Sequence, residues 1–394
     1  MIGITCVPSK VYDFLYHFKS HFRCAQGCHF RIFCWLLVLL IIDTGKGTIK
    51  SMHRIAPESI RYWTMMRMIR SGWWSPQDVL SDMVRQVLPM LPPPVDGTLY
   101  LIGDSTKKGK RGEQHPLGRQ LKTNDYQGYS FGFEMVILVA SWGKYRLPIA
   151  LAPIDPQIKG HQNILFREML NSFVPPGWAQ TVIVEADAGF AANKTFSLIE
   201  ERGYFYVCAV ARTRKFEDGR HVSDLATHLP KSHYRRVASY KPDGRRRDYW
   251  TSTRRVKLNG LGEVTMVLSK KRRNDSPKKI KVIVTNLKTA TTGEVLSMYS
   301  RRWGVEVTIH ELKAGLHLGQ MQVTKEAERV ERSVVLPVMA YLLLVKLYYQ
   351  EEEFDKGWSL FKLKQRFTAD VFKEQLHRSE GRWKEKLNKL KAAA

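Results

Sequence analysis

A mixed α/β protein is what this sequence predicts, and three observations predict it. Two short apolar runs end in acids, at Asp104 and Asp187; strand-like and helix-like patterns alternate between and after them; and helical stretches flank this region on both sides. Leu99–Asp104, Phe133–Trp142 and Tyr145–Ile154 read as strands, the last two joined by a tight turn at Gly143-Lys144. Asn163–Phe173 reads as a helix, Thr181–Asp187 as a second buried strand, Thr195–Arg202 as a helix and Tyr204–Val210 as a further strand. Pattern alone supports a mixed α/β core and no finer name.

The flanks follow from the same reasoning. Residues 1–95 predict a helical domain with segments Val11–Phe22, Phe30–Ile42, Ser59–Ile69 and Gln77–Leu88, in which Ser75 caps the last and Pro76 opens it. The apolar run Ile32–Ile42 is too short to span a bilayer and predicts a buried helix. Leu91-Pro-Pro-Pro-Val95 breaks the pattern and reads as a linker into the first part of the core, 96–212. Residues 213–286 alternate like strands, as in Val264–Leu268, and are dense in Arg and Lys, which predicts a β-rich basic insertion. Lys279–Val284 is a strand leading back to the rest of the core, 287–350, where Val334–Tyr349 is a long apolar helix. Residues 351–394 form a charged helical tail, either a DNA contact or a solvated end.

Charge narrows the partner. Against 37 acids stand 63 Lys and Arg, a net +26 over 394 residues. Such an excess favours a polyanion, and nucleic acid first, because neutralised phosphates release counterions. Five cysteines without disulfide-like spacing fit a reducing cytosol, so the expected location is cytoplasmic, at the nucleoid. Cys24, Cys28, His29 and Cys34 match no usual zinc spacing, and no second cluster follows.

The informative stretch is Tyr299–Lys313, with one Gly and apolar residues Trp303, Val307 and Leu312 at helical intervals. On one helix, at roughly 100° per residue, Tyr299, Arg302, Glu306 and Lys313 share a stripe, and Glu311 points elsewhere. The bland reading is a solvated face with ion pairs one turn apart.

Tyr-x2-Arg-x3-Glu-x6-Lys, met here by Tyr299, Arg302, Glu306 and Lys313, resembles the signature of bacterial cut-and-paste insertion-sequence DDE transposases. With the strand-end acids Asp104 and Asp187, the resemblance covers about residues 96–320. It implies an RNase H-like core, whose order of elements is the one read above, with a β-rich insertion between the second Asp and the Glu. It also implies that the N-terminal domain binds the transposon end. Asp104, Asp187 and Glu306 would be catalytic and would hold two Mg²⁺ ions, for which Mn²⁺ substitutes, with Asp104 bridging them. Tyr299, Arg302 and Lys313 would contact phosphates, and Lys107 and Lys108 would belong to a flexible basic loop closing on phosphate. Trp250 is the candidate aromatic for an unstacked base, with ordinary sheet packing as its competing role. The expected partners are double-stranded DNA, as ends and target, and a second copy of the chain on that DNA. The activity implied is cleavage at transposon ends and strand transfer; a DNA-binding relative without catalysis is the alternative. Glu185 shares strand parity with Asp187 but lies further from the strand end.

Overall fold

The computed structural model describes residues 6–22, 28–110, 114–122, 128–322, 326–350 and 359–393. They divide into two compact units, one within 1–91, 108–132 and 309–394, the other within 92–107 and 133–308.

The first unit opens with α1 (Ser9–Tyr16), α2 (Cys28–Ile42), α3 (Ile49–Ile55), α4 (Tyr62–Ser71) and α5 (Pro76–Val87). Residues 32–42 of α2 are buried without exception, as an all-apolar helix must be in water. The Ser75 hydroxyl accepts from the Asp78 N–H, and Pro76 occupies the first turn, the cap predicted for α5. Helix α3 is absent from the sequence reading because it is short and polar. Thr48 and Ser51 start it with a reciprocal capping box.

The second unit is built on a mixed sheet. Its strands are β1 (Thr98–Gly109), then, beyond the short β2 (Arg119–Lys122) of the first unit, β3 (Tyr129–Trp142), β4 (Tyr145–Pro153), β5 (Thr181–Ala186), β6 (Phe205–Val210), β7 (Arg235–Tyr240), β8 (Arg246–Leu258), β9 (Gly262–Lys270) and β10 (Lys281–Thr285). The order is β3-β1-β5-β6-β10-β9-β8-β7, with β4 against the free side of β3. β1, β5 and β6 run parallel, and β10 turns antiparallel to β6. The succession β1, β3, β4, α6 (His161–Ser172), β5, α7 (Asn193–Glu201), β6 is the order of elements that the sequence predicts. The β-rich basic segment, which also carries α8 (Val222–His228), is not a separate sheet: it joins the core sheet through β10 and β9.

The pleat sets Gly103 and Ala186 on the side opposite to Asp104 and Glu185. Ile102 pairs with Glu185, and Gly103 with Ala186, and paired residues of parallel strands point to one side. Gly103 meets α6, where an added Cβ would stand 2.2 Å from Phe166 Cε2. Gly103 is therefore needed for packing, since Phe166 is fully buried. Gly103→Ala is expected to lower stability by about 1–3 kcal/mol through overpacking. Urea unfolding checks it, and Phe166→Leu should recover part of the loss. A Gly103→Ala chain as stable as the parent would refute this packing argument.

Helices α9 (Thr292–Ser300), α10 (Trp303–Gly315) and α11 (Ala327–Tyr348) follow, and then Leu360–Ala393. Helix α11 is the centre of the first unit, buried from Val334 to Val345 and packed on α5, α2 and α4. The C-terminal helix is not simply a solvated end, because Leu360, Leu363, Phe367 and Val371 are buried in the same unit. Among the described residues no helix is long and apolar enough to cross a membrane.

Candidate active site

Strand β1 does not end at Asp104. It continues to Gly109 because it lies beside β3, which keeps it extended after its pairing with β5 has finished. Lys107 and Lys108 are therefore strand residues and not part of a flexible loop; Arg111 lies outside the described residues. The β1–β5 register ends at Gly103↔Ala186, so Asp104 and Asp187 each follow its last pair, and the Asp187 charge acts on the Asp104 carboxyl. Two acids thus meet where β5 gives way to its turn. That turn is pinned: Gly189 N–H donates to Asp187 Oδ1 at 2.8 Å, and Phe190, 1% exposed, packs on Phe166 with ring centroids 4.8 Å apart.

Tyr299–Lys313 is not one helix, as the pattern predicts, but two. Helix α9 ends at Ser300, Arg301 and Arg302 form a turn, and α10 begins at Trp303. The turn is tightened by Gly304 N–H to the Arg301 carbonyl at 2.7 Å and Val305 N–H to the Arg302 carbonyl at 3.1 Å. Gly304 weakens the helix there, and its missing side chain makes room for Arg146, whose Cδ would be 2.9 Å from a Cβ. Tyr299 is buried, with the Lys281 ammonium 4.9 Å over its ring and 3.4 Å from its hydroxyl, and the charges of Arg302 and Asp187 act on that hydroxyl. One expectation fails: Trp303 is not on the apolar side but 60% exposed, whereas Val305 and Leu312 are buried.

Arg302 joins the two acids that come from different elements. Its Nη1 donates to Asp104 Oδ2 at 2.9 Å and its Nη2 to Glu306 Oε1 at 2.8 Å. One planar guanidinium therefore bridges a strand carboxylate and a helix carboxylate, the geometry for which Arg is suited. Burial pushes the Asp104 carboxyl above its usual range; Arg302 and the Ser105 N–H oppose this, and Asp187 and Glu306 add to it. The three acids consequently share one field. Lys281 belongs to it too. Burial and Arg302 lower its ammonium, while Asp187 and Glu306 hold it up. Sequence reasoning missed Lys281 because it stands at the end of the basic run Lys278-Lys279; its place at the start of a strand was the available signal.

The remaining predicted residues are more dispersed. Lys107 lies 3.6 Å from Glu134 as an ion pair. Trp250 is half-buried on β8, paired with Arg236 and Lys270, and the Arg273 guanidinium stacks 5.1 Å above its ring. Lys108 and Lys313 belong to the first unit, where burial lowers both ammoniums and Lys108 lowers Lys313 further. Lys313 stands on α10 two turns beyond Glu306. Cys24 of the cysteine group lies outside the described residues. Among those residues no three His, Cys, Asp or Glu side chains are arranged to hold a metal ion. The Arg302 guanidinium spans Asp104 and Glu306.

No curated protein matches the chain. Among solved structures, it is similar to a piggyBac transposase in a synaptic complex with hairpin DNA, determined by cryo-EM, with a TM-score of 0.47 and 12% identity, covering 96% of this chain and 80% of that one. The profile of the family described as Transposase DDE domain matches residues 95–343, more than half of the chain and all three acids. The chain belongs to the DDE-domain transposase family.

Proposed function

We propose that this transposase cuts DNA at the ends of its element and joins those ends to target DNA, with Asp104, Asp187 and Glu306 as its catalytic acids. The observation that carries the reading is the convergence on one spot of Asp104, Glu306 and Arg302, with Asp187, like Asp104, following the last pair of the β1–β5 register. A solvated ion-pair face would leave Arg302 exposed, but its side chain is 17% exposed and that of its partner Asp104 14%.

The donor set fits hard divalent cations. It consists of carboxylate oxygens, and a guanidinium already spans two of them as a stand-in cation. Asp104, Asp187 and Glu306 would hold Mg²⁺, or Mn²⁺ in its place. Bound ions would supply the charge that activates a water or 3′-hydroxyl and stabilises the leaving oxygen. The chain's own residues then have distinct tasks. Asp104 and Asp187 fix the ligand oxygens to a rigid sheet. Arg302, once it leaves the acids, presents two parallel N–H groups to a phosphate. Lys313 and Lys108 are further phosphate contacts, and the exposed Arg246, Arg247 and Arg255 offer a surface along DNA. Trp250, already faced by a cation, is a stacking platform for an unpaired base. A second copy of the chain, assembled on DNA, would coordinate the two ends, in a cytoplasmic, nucleoid setting.

The test is incubation of the full chain with DNA carrying the element's ends, in Mg²⁺ and in EDTA. Strands ending in 3′-hydroxyl and joined products, both dependent on Mg²⁺, are expected. Firm binding with no cleavage in Mg²⁺ or Mn²⁺ would overturn the reading in favour of a non-catalytic DNA-binding relative.

A further inference from the structure

Lys281 opens β10 at the end of a basic run that also holds Lys278 and Lys279. Those two lie exposed in the short turn Pro277–Lys279, as members of a solvated run do. Lys281 differs, because the strand fixes the side on which it stands. Residues 281, 283 and 285 share one side of β10; Thr285 pairs with Val207, Val207 with Glu185, and Glu185 with Ile102. Asp104 has the parity of Ile102, so Lys281 stands on the side of the sheet that carries the acids.

Its ammonium is also held in place. It lies 4.9 Å from the centre of the Tyr299 ring and donates to the Tyr299 hydroxyl at 3.4 Å. The Tyr299 carbonyl accepts from the N–H of Arg302 at 3.3 Å, and Arg302 spans Asp104 and Glu306. An unbroken chain of contacts thus runs from Lys281 to the acids. Exposure divides the pair: Tyr299 is 9% exposed, whereas Lys281 is open to solvent. We propose that Lys281 contacts a phosphate of the DNA strand lying at the acids, and that Tyr299 is a positioning residue acting through Lys281. The strand meets the ammonium, while the ring and hydroxyl behind it hold a flexible four-carbon stem in one place. Less of that stem's freedom is then lost when DNA arrives. This rests on the reading of Asp104, Asp187 and Glu306 as the place where DNA is cut.

The experiment measures binding of the full chain to a duplex carrying the element's end, in EDTA, across a range of salt concentrations. It compares the parent with Lys281→Met, Lys281→Arg, Tyr299→Phe and the double variant Lys281→Met/Tyr299→Phe. Lys281→Met should weaken binding about tenfold at low salt, the worth of one hydrogen bond to a charged group. It should also flatten the plot of log affinity against log salt by about one, the loss of one phosphate contact. Lys281→Arg should restore the slope. Tyr299→Phe should weaken binding a few-fold with the slope kept, and should add nothing in the Lys281→Met background. A pair that merely packs α9 on the sheet would lower the urea midpoint of Lys281→Met and leave its salt slope at the parent's value, and that result overturns the proposal. An equal loss from Tyr299→Phe in both backgrounds overturns the part given to Tyr299. Cleavage in Mg²⁺, run on the same chains, keeps the two readings apart. The expected slopes in a parent that cuts nothing would sink the catalytic reading and support the Lys281 contact, whereas a parent that binds no DNA would remove both.

Discussion

Glu306→Gln should reduce nicking at the element's ends by about a thousandfold or more, because one member of an interdependent catalytic set is lost. DNA binding and fold should survive. The amide keeps an oxygen at the position where Glu306 accepts from Arg302 Nη2, 2.8 Å away in the parent. The Glu306 side chain is 37% exposed, so neutralising it should change stability by less than about 1 kcal/mol. A gel assay of strand cleavage, run beside a binding assay on the same DNA, separates the two effects. Asp104→Asn should behave in the same way. Cleavage by Glu306→Gln at the parent's rate would end the case for Glu306, whatever became of the family assignment.

What could be read in advance was local or periodic. The apolar runs before Asp104 and Asp187 had to be buried strands, and their acids had to stand at strand ends or beyond. The long apolar stretch of α11 could only be interior. Bounds were legible where a cap or turn sets them, as with Ser75 and Pro76 before α5. What escaped was decided by contacts distant in sequence. β1 runs on past Asp104 because β3 lies beside it, and nothing within β1 announces that. That the basic strands share the core sheet was not legible, because the pairing of β10 with β6 is long-range. The break at Arg301–Arg302 was hidden because a single glycine is tolerated in most helices. Glu185 looked like a weaker copy of Asp187. Its burial and lack of partners are properties of the packed sheet, invisible in a pattern of alternating residues.

Glu311→Ala should destabilise the protein by about 3 kcal/mol, mainly by leaving buried partners unmatched. Helix α10 carries two glutamates, and their surroundings invert what composition suggests. Glu306 is the more exposed, and the reading above makes it chemical. Glu311 is 3% exposed in the first unit, where it accepts from the Tyr341 hydroxyl at 3.3 Å and from the Leu360 N–H at 3.3 Å. It thereby ties α10 to α11 and to the first residue of the C-terminal helix. Removing its carboxyl leaves that hydroxyl and that N–H inside the protein without this acceptor, and it opens a small cavity as well. Glu311→Gln retains one acceptor oxygen and should cost less than half as much. Urea unfolding of the two Glu311 variants beside Glu306→Gln gives a clean contrast, because substitution at one position should move the unfolding midpoint and at the other only the rate of cleavage. If Glu311→Ala were as stable as the parent, the tie between these three helices would have no energetic weight. If it also lost cleavage at unchanged stability, Glu311 and not Glu306 would have to be considered the third acid. The geometry argues against that outcome, since it is Glu306 that Arg302 bridges to Asp104.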